Sequence, residues 1–444
     1  MNGIAAGPAL SDTVELDVER IAYGGDGVGR ADGLVVFVPW TAPGERVRAR
    51  IIERHERYAR ARLEGVLEPA PDRVEPGCPV FGLCGGCQLQ HLDREAQLAA
   101  KARAVSDAFQ RIARLPLPGP LACEDAASPW HYRRKATFTW RRARDAFALG
   151  FHAAEDPSAI VDIDACPIFA EAGNVALTGL RESLARAPER GDAPAVEEGR
   201  LAVRALPGQE VQAGVFTADA GRARELARLL SGTGIVTTWG TRAGDSGPLA
   251  LAPGAPRLVS RIDLGGLKLR VGFDSFLQSD PEAAERLYAA ALAGLDARPG
   301  QRIIDGYAGI GALTCRLARE GAQVTAVEAH PGAASDLRAN AAAAGGEPVH
   351  VLELPAERVD WRRPRPEGVV VNPPRSGCAA AVLESIARSS ARRLVYVSCD
   401  PTTLARDVRR LGRGWRIDSI RAFDLFPQTG HVETVATLVR ERRS

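Results

Sequence analysis

From Arg302 onward the chain repeats one unit: a short apolar run, then a stretch of helical length. The runs are RIIDGYAG, QVTAVEA, PVHVLEL, GVVVNPP and RLVYVSC. Strands this apolar, separated by helices, predict an α/β domain with a parallel sheet, because each crossover helix covers a sheet face. The end of the chain differs. RIDSIRAFDLF and ETVATLVRE are joined only by PQTGHV, which predicts a closing antiparallel pair.

The rest of the 444 residues leaves room for one or two more domains. Residues 13–68 read as all-β: VELDVERI, LVVFVPW, RVRARIIER and ARLEGVLEP alternate or run apolar between Gly and Pro. Short strands in this number suit a small barrel of the oligonucleotide-binding type. Gly24, Gly25, Gly27 and Gly29 precede a strand rather than a helix, so they predict a hairpin turn and not a nucleotide loop. Residues 94–114 have helical spacing, and residues 131–165 return to strands. Residues 185–260 carry only short strands and one helix near 221–230.

A net charge of +2 does not announce a nucleic-acid partner. Its distribution says more. Arg46, Arg48, Arg50, Arg54, Arg57, Arg60 and Arg62 crowd one stretch, and Arg133, Arg134, Lys135, Arg141, Arg142 and Arg144 another. Arginine suits bidentate contact with phosphate, so these stretches, Arg133, Arg134 and Arg142 included, are expected to contact phosphate groups. The competing reading is solvated strand faces. Residues 1–9 lack a signal-peptide pattern, and no apolar run reaches the ~20 residues that cross a bilayer. The expectation is a cytoplasmic protein with no membrane partner and no obligatory protein partner. Eight cysteines in a reducing compartment then read as metal ligands or catalysts rather than disulfides.

Four constellations carry chemistry. CPVFGLCGGC places Cys78, Cys84 and Cys87 at C-x5-C-x2-C, with Cys166 before Pro167 further on. Four thiolates suit an iron–sulfur cluster or zinc; three close and one distant favour [4Fe–4S], while structural zinc and unliganded core cysteines remain alternatives. Asp305-Gly306-Tyr307-Ala308-Gly309-Ile310-Gly311 follows one strand, and Glu328 closes the next, where an acid can hold ribose hydroxyls. That pairing fits S-adenosylmethionine, with a nicotinamide cofactor as the alternative. Asn372-Pro373-Pro374-Arg375 and Val397-Ser398-Cys399-Asp400-Pro401 end two further strands, on the rim where ligands of open α/β sheets sit. Glu433 begins the last strand, so Cys399 and Glu433 are candidates for a nucleophile and base beside a methyl donor.

With these motifs the sequence resembles the RNA uracil-C5-methyltransferase family, over nearly its whole length, and within it the bacterial 23S ribosomal RNA members. SCDP and HVET match the family's two catalytic signatures; CPVFGLCGGCQLQH with Cys166-Pro167 matches its cluster motif; LGF at 149–151 and SFLQ at 275–278 match landmarks. The resemblance implies an α/β fold: a seven-stranded Rossmann-like methyltransferase domain at the C-terminus, an N-terminal all-β TRAM barrel, and a central β-rich iron–sulfur domain. The corresponding boundaries are 1–72 for TRAM, 73–92 with 125–262 for the central domain, and 93–124 with 263–444 for the methyltransferase domain. It implies S-adenosylmethionine as methyl donor, a [4Fe–4S] cluster on Cys78, Cys84, Cys87 and Cys166, Cys399 as nucleophile and Glu433 as proton acceptor. Gln278, Tyr307, Gly309, Gly311, Glu328 and Asn372 fall at donor-binding positions. Asn372 is the main departure, standing where the family commonly has Asp, and it removes a negative charge near the sulfonium. The implied reaction is methylation of uridine C5 in RNA, with 23S rRNA as the target. Transfer RNA is the alternative, as is an RNA-binding iron–sulfur protein with an impaired site. An amino methyltransferase would leave Cys399 and Glu433 unexplained. A radical methylthiotransferase would carry C-x3-C-x2-C and a C-terminal TRAM domain.

Overall fold

Side-chain alternation builds the first unit. In the computed structural model, which describes residues 10–143, 146–187, 196–206, 208, 210–242 and 249–441, strands β1 (Thr13–Ile21), β2 (Gly27–Ala31), β3 (Leu34–Val38), β4 (Arg46–Arg54) and β5 (Tyr58–Glu68) form a closed barrel. Their order is β1-β2-β3-β5-β4, and Val36, Val38, Val47 and Ala49 fill the interior. On β4, Val47, Ala49 and Ile51 point in, and Arg46, Arg48 and Arg50 point out. Gly24 and Gly25 form the turn before β2 with φ of +103° and +106°, a conformation that favours glycine. Gly27 and Gly29 lie inside β2, pressed against Thr41 and the Asp17 carbonyl.

Helix α1 (Arg94–Ala108) is capped by Asp93, which accepts from the Ala96 N–H at 2.8 Å, and continues into one wider turn, Phe109–Ala113. Its Val105, Ala108 and Phe109 are buried in the core of the C-terminal sheet, and strand β6 (Cys123–Glu124) joins that sheet's edge.

The central unit is a seven-stranded sheet of β7 (Lys135–Ala143), β8 (Ala146–His152), β9 (Ile160–Asp162), β10 (Val196–Ala205), β11 (Val211–Thr217), β12 (Val236–Arg242) and β13 (Leu249–Leu251). Helix α3 (Ala220–Ser231) lies where the sequence predicts one; α2 (Glu171–Ala185) also packs here and has no counterpart in the sequence reading. This unit corrects the phosphate expectation for Arg142. Its side chain is buried, donates to the Ala187 carbonyl at 3.0 Å and pairs with Glu197 at 3.3 Å. Arg141 pairs with Glu198 at 2.7 Å, while Arg144 and residues 1–9 lie outside the described residues.

A hairpin, β14 (Val259–Leu264) and β15 (Leu267–Gly272), leads into α4 (Pro281–Leu295). The final unit alternates β16 (Arg302–Gly306), α5 (Ala312–Arg319), β17 (Gln323–Val327), α6 (Pro331–Ala344), β18 (His350–Leu352), β19 (Gly368–Val371), α7 (Ala380–Arg388), β20 (Arg393–Ser398), α8 (Pro401–Leu411), β21 (Trp415–Phe423) and β22 (Glu433–Arg440). The sheet order is β18-β17-β16-β19-β20-β22-β21-β6. It has eight strands where seven were expected, because the two residues of β6 pair with Ala422 and Phe423. Residues of α1, α7 and α8 are packed on one face; residues of α4 and α5 on the other. Among the described residues no helix is long and apolar enough to cross a membrane.

Candidate active site

The strand order sets the position of the site. After β16 the chain runs outward through β17 and β18, then crosses back to β19 on the other side of β16. Such a reversal opens a crevice at the carboxyl ends of the two strands. There the structure has a cavity of about 510 Å³, lined by residues that follow β16, β17, β19 and β20 and by the first residue of β22. That volume suits a nucleoside-sized ligand.

The loop after β16 is built to approach a ligand. Tyr307, Gly309 and Gly311 have φ of 59°, 58° and 87°, so the chain turns through three left-handed positions before α5. The Gly309 N–H donates to Glu328 at 2.8 Å, and the other oxygen of Glu328 accepts from the His330 N–H at 2.7 Å, which fixes the carboxylate at the rim. Asp305 is buried below and accepts from the Thr314 hydroxyl at 2.5 Å; burial raises its carboxyl to about 7. Gln278 is 2% exposed, and its Oε1 has no hydrogen-bond partner among the described residues. An unmade buried bond of this kind costs about 1–3 kcal/mol, which a ligand N–H would recover. The central sheet holds this segment: Arg204 donates to the Gly272 and Ser275 carbonyls at 2.7 and 2.8 Å.

Cys399 and Glu433 meet through sheet register. Antiparallel β20 and β22 put Ser398 opposite Thr434, so the next pair outward is Cys399 and Glu433. Beyond Cys399, Asp400 caps α8 by accepting from the Thr402 and Thr403 N–H groups at 2.8 and 3.0 Å, with Pro401 in the first turn. Burial pushes the Cys399 thiol up to about 11; Glu433 adds to the shift and Arg375 opposes it. Burial raises Glu433 to about 8, again opposed by Arg375, and its Oε2 has no partner among the described residues. Arg375 reaches His431 at 3.1 Å, and burial lowers that imidazole to about 4, so neutral Nε2 accepts from the guanidinium.

Of the residues singled out in the sequence, Gln278, Tyr307, Gly309, Glu328, Asn372, Cys399 and Glu433 line this one cavity. Gly311 lies just behind it as the N-cap of α5. Sequence reasoning did not assign roles to Arg375, whose motif position was the available signal, or to Phe426 and Phe276 on the cavity wall. Phe276 is 68% exposed there.

The four remaining candidate cysteines form a second cavity of about 40 Å³, where Cys78, Cys84, Cys87 and Cys166 come together with Arg133. All four are free thiols. Burial raises Cys84 and Cys166 and takes Cys87 to about 12, while the Arg133 charge lowers all three. The Gly86 N–H donates to the Cys84 sulfur at 3.4 Å. Among the described residues no three Cys, His, Asp or Glu side chains close around a single metal ion. Arg133 lines this thiol cavity, whereas Arg134 lines a groove with His131 and Glu171. On the barrel, Arg46 and Arg48 pair with Glu15 at 3.3 and 2.9 Å, and Arg50 pairs with Glu64 at 2.5 Å, so part of that basic stripe is neutralised.

Comparison with known proteins identifies two modules. Residues 262–441 match the tRNA (Uracil-5-)-methyltransferase family, and residues 11–63 match the TRAM domain. A protein of Halalkalibacterium halodurans named as an uncharacterized RNA methyltransferase is 32% identical, over 96% of this chain and 97% of its own. One of the same description from Thermosynechococcus vestitus is 32% identical, over 96% and 98%. Among solved structures, the tRNA (uracil-54, C5)-methyltransferase of Pyrococcus abyssi, in complex with S-adenosyl-L-homocysteine, superposes with a TM-score of 0.72. It is 25% identical, over 96% of this chain and 100% of its own.

Proposed function

The chain belongs to the S-adenosylmethionine-dependent RNA uracil-5-methyltransferase family, and from that premise we propose that it methylates C5 of a uridine through a covalent adduct on Cys399. The observation that carries this reading is that Cys399 shares the wall of the donor-sized cavity with the buried carboxyl of Glu433, whose Oε2 has no partner among the described residues. Gln278, Tyr307, Gly309, Glu328 and Asn372 hold the methyl donor. With a thiol near 11, only about one molecule in ten thousand is thiolate at neutral pH. The bound sulfonium adds a positive charge, which favours both thiolate and carboxylate. The Cys399 thiolate forms a bond to uracil C6, and electron density moves to C5 as an enolate. C5 then takes the methyl group, and the sulfonium leaves as the neutral thioether. Glu433 removes the C5 proton, the C5–C6 double bond re-forms, and the C6–sulfur bond breaks to return the thiolate. Asn372 presents an amide where the family's carboxylate would stand; it accepts a hydrogen bond without adding negative charge.

The cysteine cavity supports the second part of the reading. Four soft, mutually close thiols with an N–H donor and an arginine beside them fit an anionic [4Fe–4S] cluster. In a cluster each thiolate binds a different iron, so a cage for one ion is not required. Cys78, Cys84, Cys87 and Cys166 would hold it, and it would supply a cross-link between the segment 78–87 and the central sheet. The target RNA is 23S rRNA by the resemblance of the cluster and TRAM arrangement. Transfer RNA is the second reading, favoured by the Pyrococcus enzyme's action on tRNA uridine 54. Nucleoside mass spectrometry of rRNA and tRNA from a deletion strain decides: loss of one 5-methyluridine from 23S rRNA is expected. Loss from tRNA alone selects the second reading, and no change in 5-methyluridine anywhere sinks both.

A further inference from the structure

The barrel touches the catalytic loop directly. Tyr23 lies in the turn between β1 and β2, and its hydroxyl donates to the backbone carbonyl of Cys399 at 3.1 Å. The turn is wedged in place on two sides. A Cβ on Gly25 would sit 2.5 Å from Cβ of Gln88, and one on Gly430 would sit 2.5 Å from the carbonyl carbon of Gly24. Gln88 ties those two sides together: its N–H donates to the Gln428 carbonyl at 3.1 Å, and its Oε1 accepts from the Gly430 N–H at 3.2 Å.

Cys399 needs such an anchor. β20 ends at Ser398 and the cap of α8 is Asp400, so Cys399 falls between the strand ladder and the helix. The orientation of its peptide sets where the sulfur projects and which way the carbonyl dipole points. A carbonyl oxygen swung toward the cavity would oppose a thiolate and the enolate that follows. The Tyr23 hydroxyl holds that oxygen on the barrel side, and Tyr23 itself is outside the cavity wall.

We propose that the TRAM barrel completes the active site, with Tyr23 as a positioning residue that fixes the Cys399 backbone and thereby sets the reactivity of its thiol. The proposal rests on the reading of Cys399 as nucleophile. Because burial raises the Tyr23 phenol above its ordinary range, it remains a donor across the working pH.

The test uses the full chain with Tyr23→Phe, which removes only the hydroxyl, and Gly430→Ala, which pushes on the same contact from the hairpin side. Three things are measured: kcat and RNA KM, the rate of adduct formation with 5-fluorouridine RNA, and the pH profile of iodoacetamide alkylation at Cys399. Loss of one partly buried hydrogen bond predicts about a tenfold fall in kcat and adduct rate for Tyr23→Phe, with RNA KM within about twofold of wild type. The alkylation profile should shift, which a merely stabilising contact would not produce, and Gly430→Ala should change kcat in the same direction. Wild-type kcat and alkylation in both variants, or a change confined to RNA KM, would overturn the positioning role. Cys399→Ala run alongside separates the two claims. If it still forms the adduct, the nucleophile is wrong and the proposal falls with it; if it does not while Tyr23→Phe behaves as wild type, only the positioning role falls.

Discussion

Two cavities in this protein each hold a cysteine whose thiol burial makes reluctant to ionise. At one, Cys399 stands near 11; at the other, Cys87 stands near 12. Burial alone therefore does not tell a nucleophile from a ligand. The neighbours do. Cys399 has a carboxyl with one oxygen unpartnered among the described residues, an arginine and room for a donor and a base. Cys87 has three other thiols and Arg133 around a space too small for an organic substrate. A single soft atom beside a proton acceptor suits bond making and breaking. Four soft atoms together suit permanent ligation.

The sharpest way to break this contrast is to remove one sulfur from each cavity. Cys399→Ala should abolish both methyl transfer and the 5-fluorouridine adduct, a loss of about 10⁴-fold or more, and leave iron content unchanged. Cys87→Ala should lose most of the about four irons per chain expected of anaerobically purified protein. One tightly held zinc and no iron in the wild-type protein would erase the ligand half of the contrast.

Glu433→Gln gives a smaller effect but separates the steps. In the proposed mechanism the nucleophile acts before methyl transfer and the base after it, so a neutral amide should stall elimination. Turnover should fall by about 10²–10⁴, with methyl-labelled RNA trapped on the protein under denaturing conditions. Release of free methylated RNA at the wild-type rate would show that another group takes the proton.

The smallest effect is in pH dependence. Burial raises Glu433 from 4.5 to about 8, so its folded pKa lies above its unfolded value. Its contribution to stability is full below about 4.5 and is lost as pH rises through 8. Relative to wild type, Glu433→Gln should therefore gain melting temperature between pH 5 and 9, by about 2–4 °C. The ionised base also predominates only above pH 8, so the single-turnover rate of elimination from the methylated adduct should climb toward that pH in the wild type. A melting difference that stays flat from pH 5 to 9 would show that Glu433 ionises at an ordinary carboxyl pH.

The sequence by itself determined the local elements and where the candidate site residues fall along them. Alternation gave away β4 and β5, apolar runs gave away β16 to β20, and the motifs at the ends of β16, β19 and β20 already lay on one rim, because strands of a parallel sheet end on the same side. Periodicity also hid things. The two-residue β6 is too short to have a period, and α2 passed unnoticed between the stretches on either side. Only the tertiary structure decided what faces what. It paired Cys399 with Glu433 through the β20–β22 register, brought Cys166 to Cys78, Cys84 and Cys87, and set Tyr23 against a peptide 376 residues away. It also turned Arg142 inward to Glu197 while leaving Arg46, Arg48 and Arg50 on an outer face, although both stretches read alike as basic runs. The reason is physical: a residue pattern records which face of an element is apolar, but the partner that covers that face is chosen by packing between distant segments, and so by the whole chain at once.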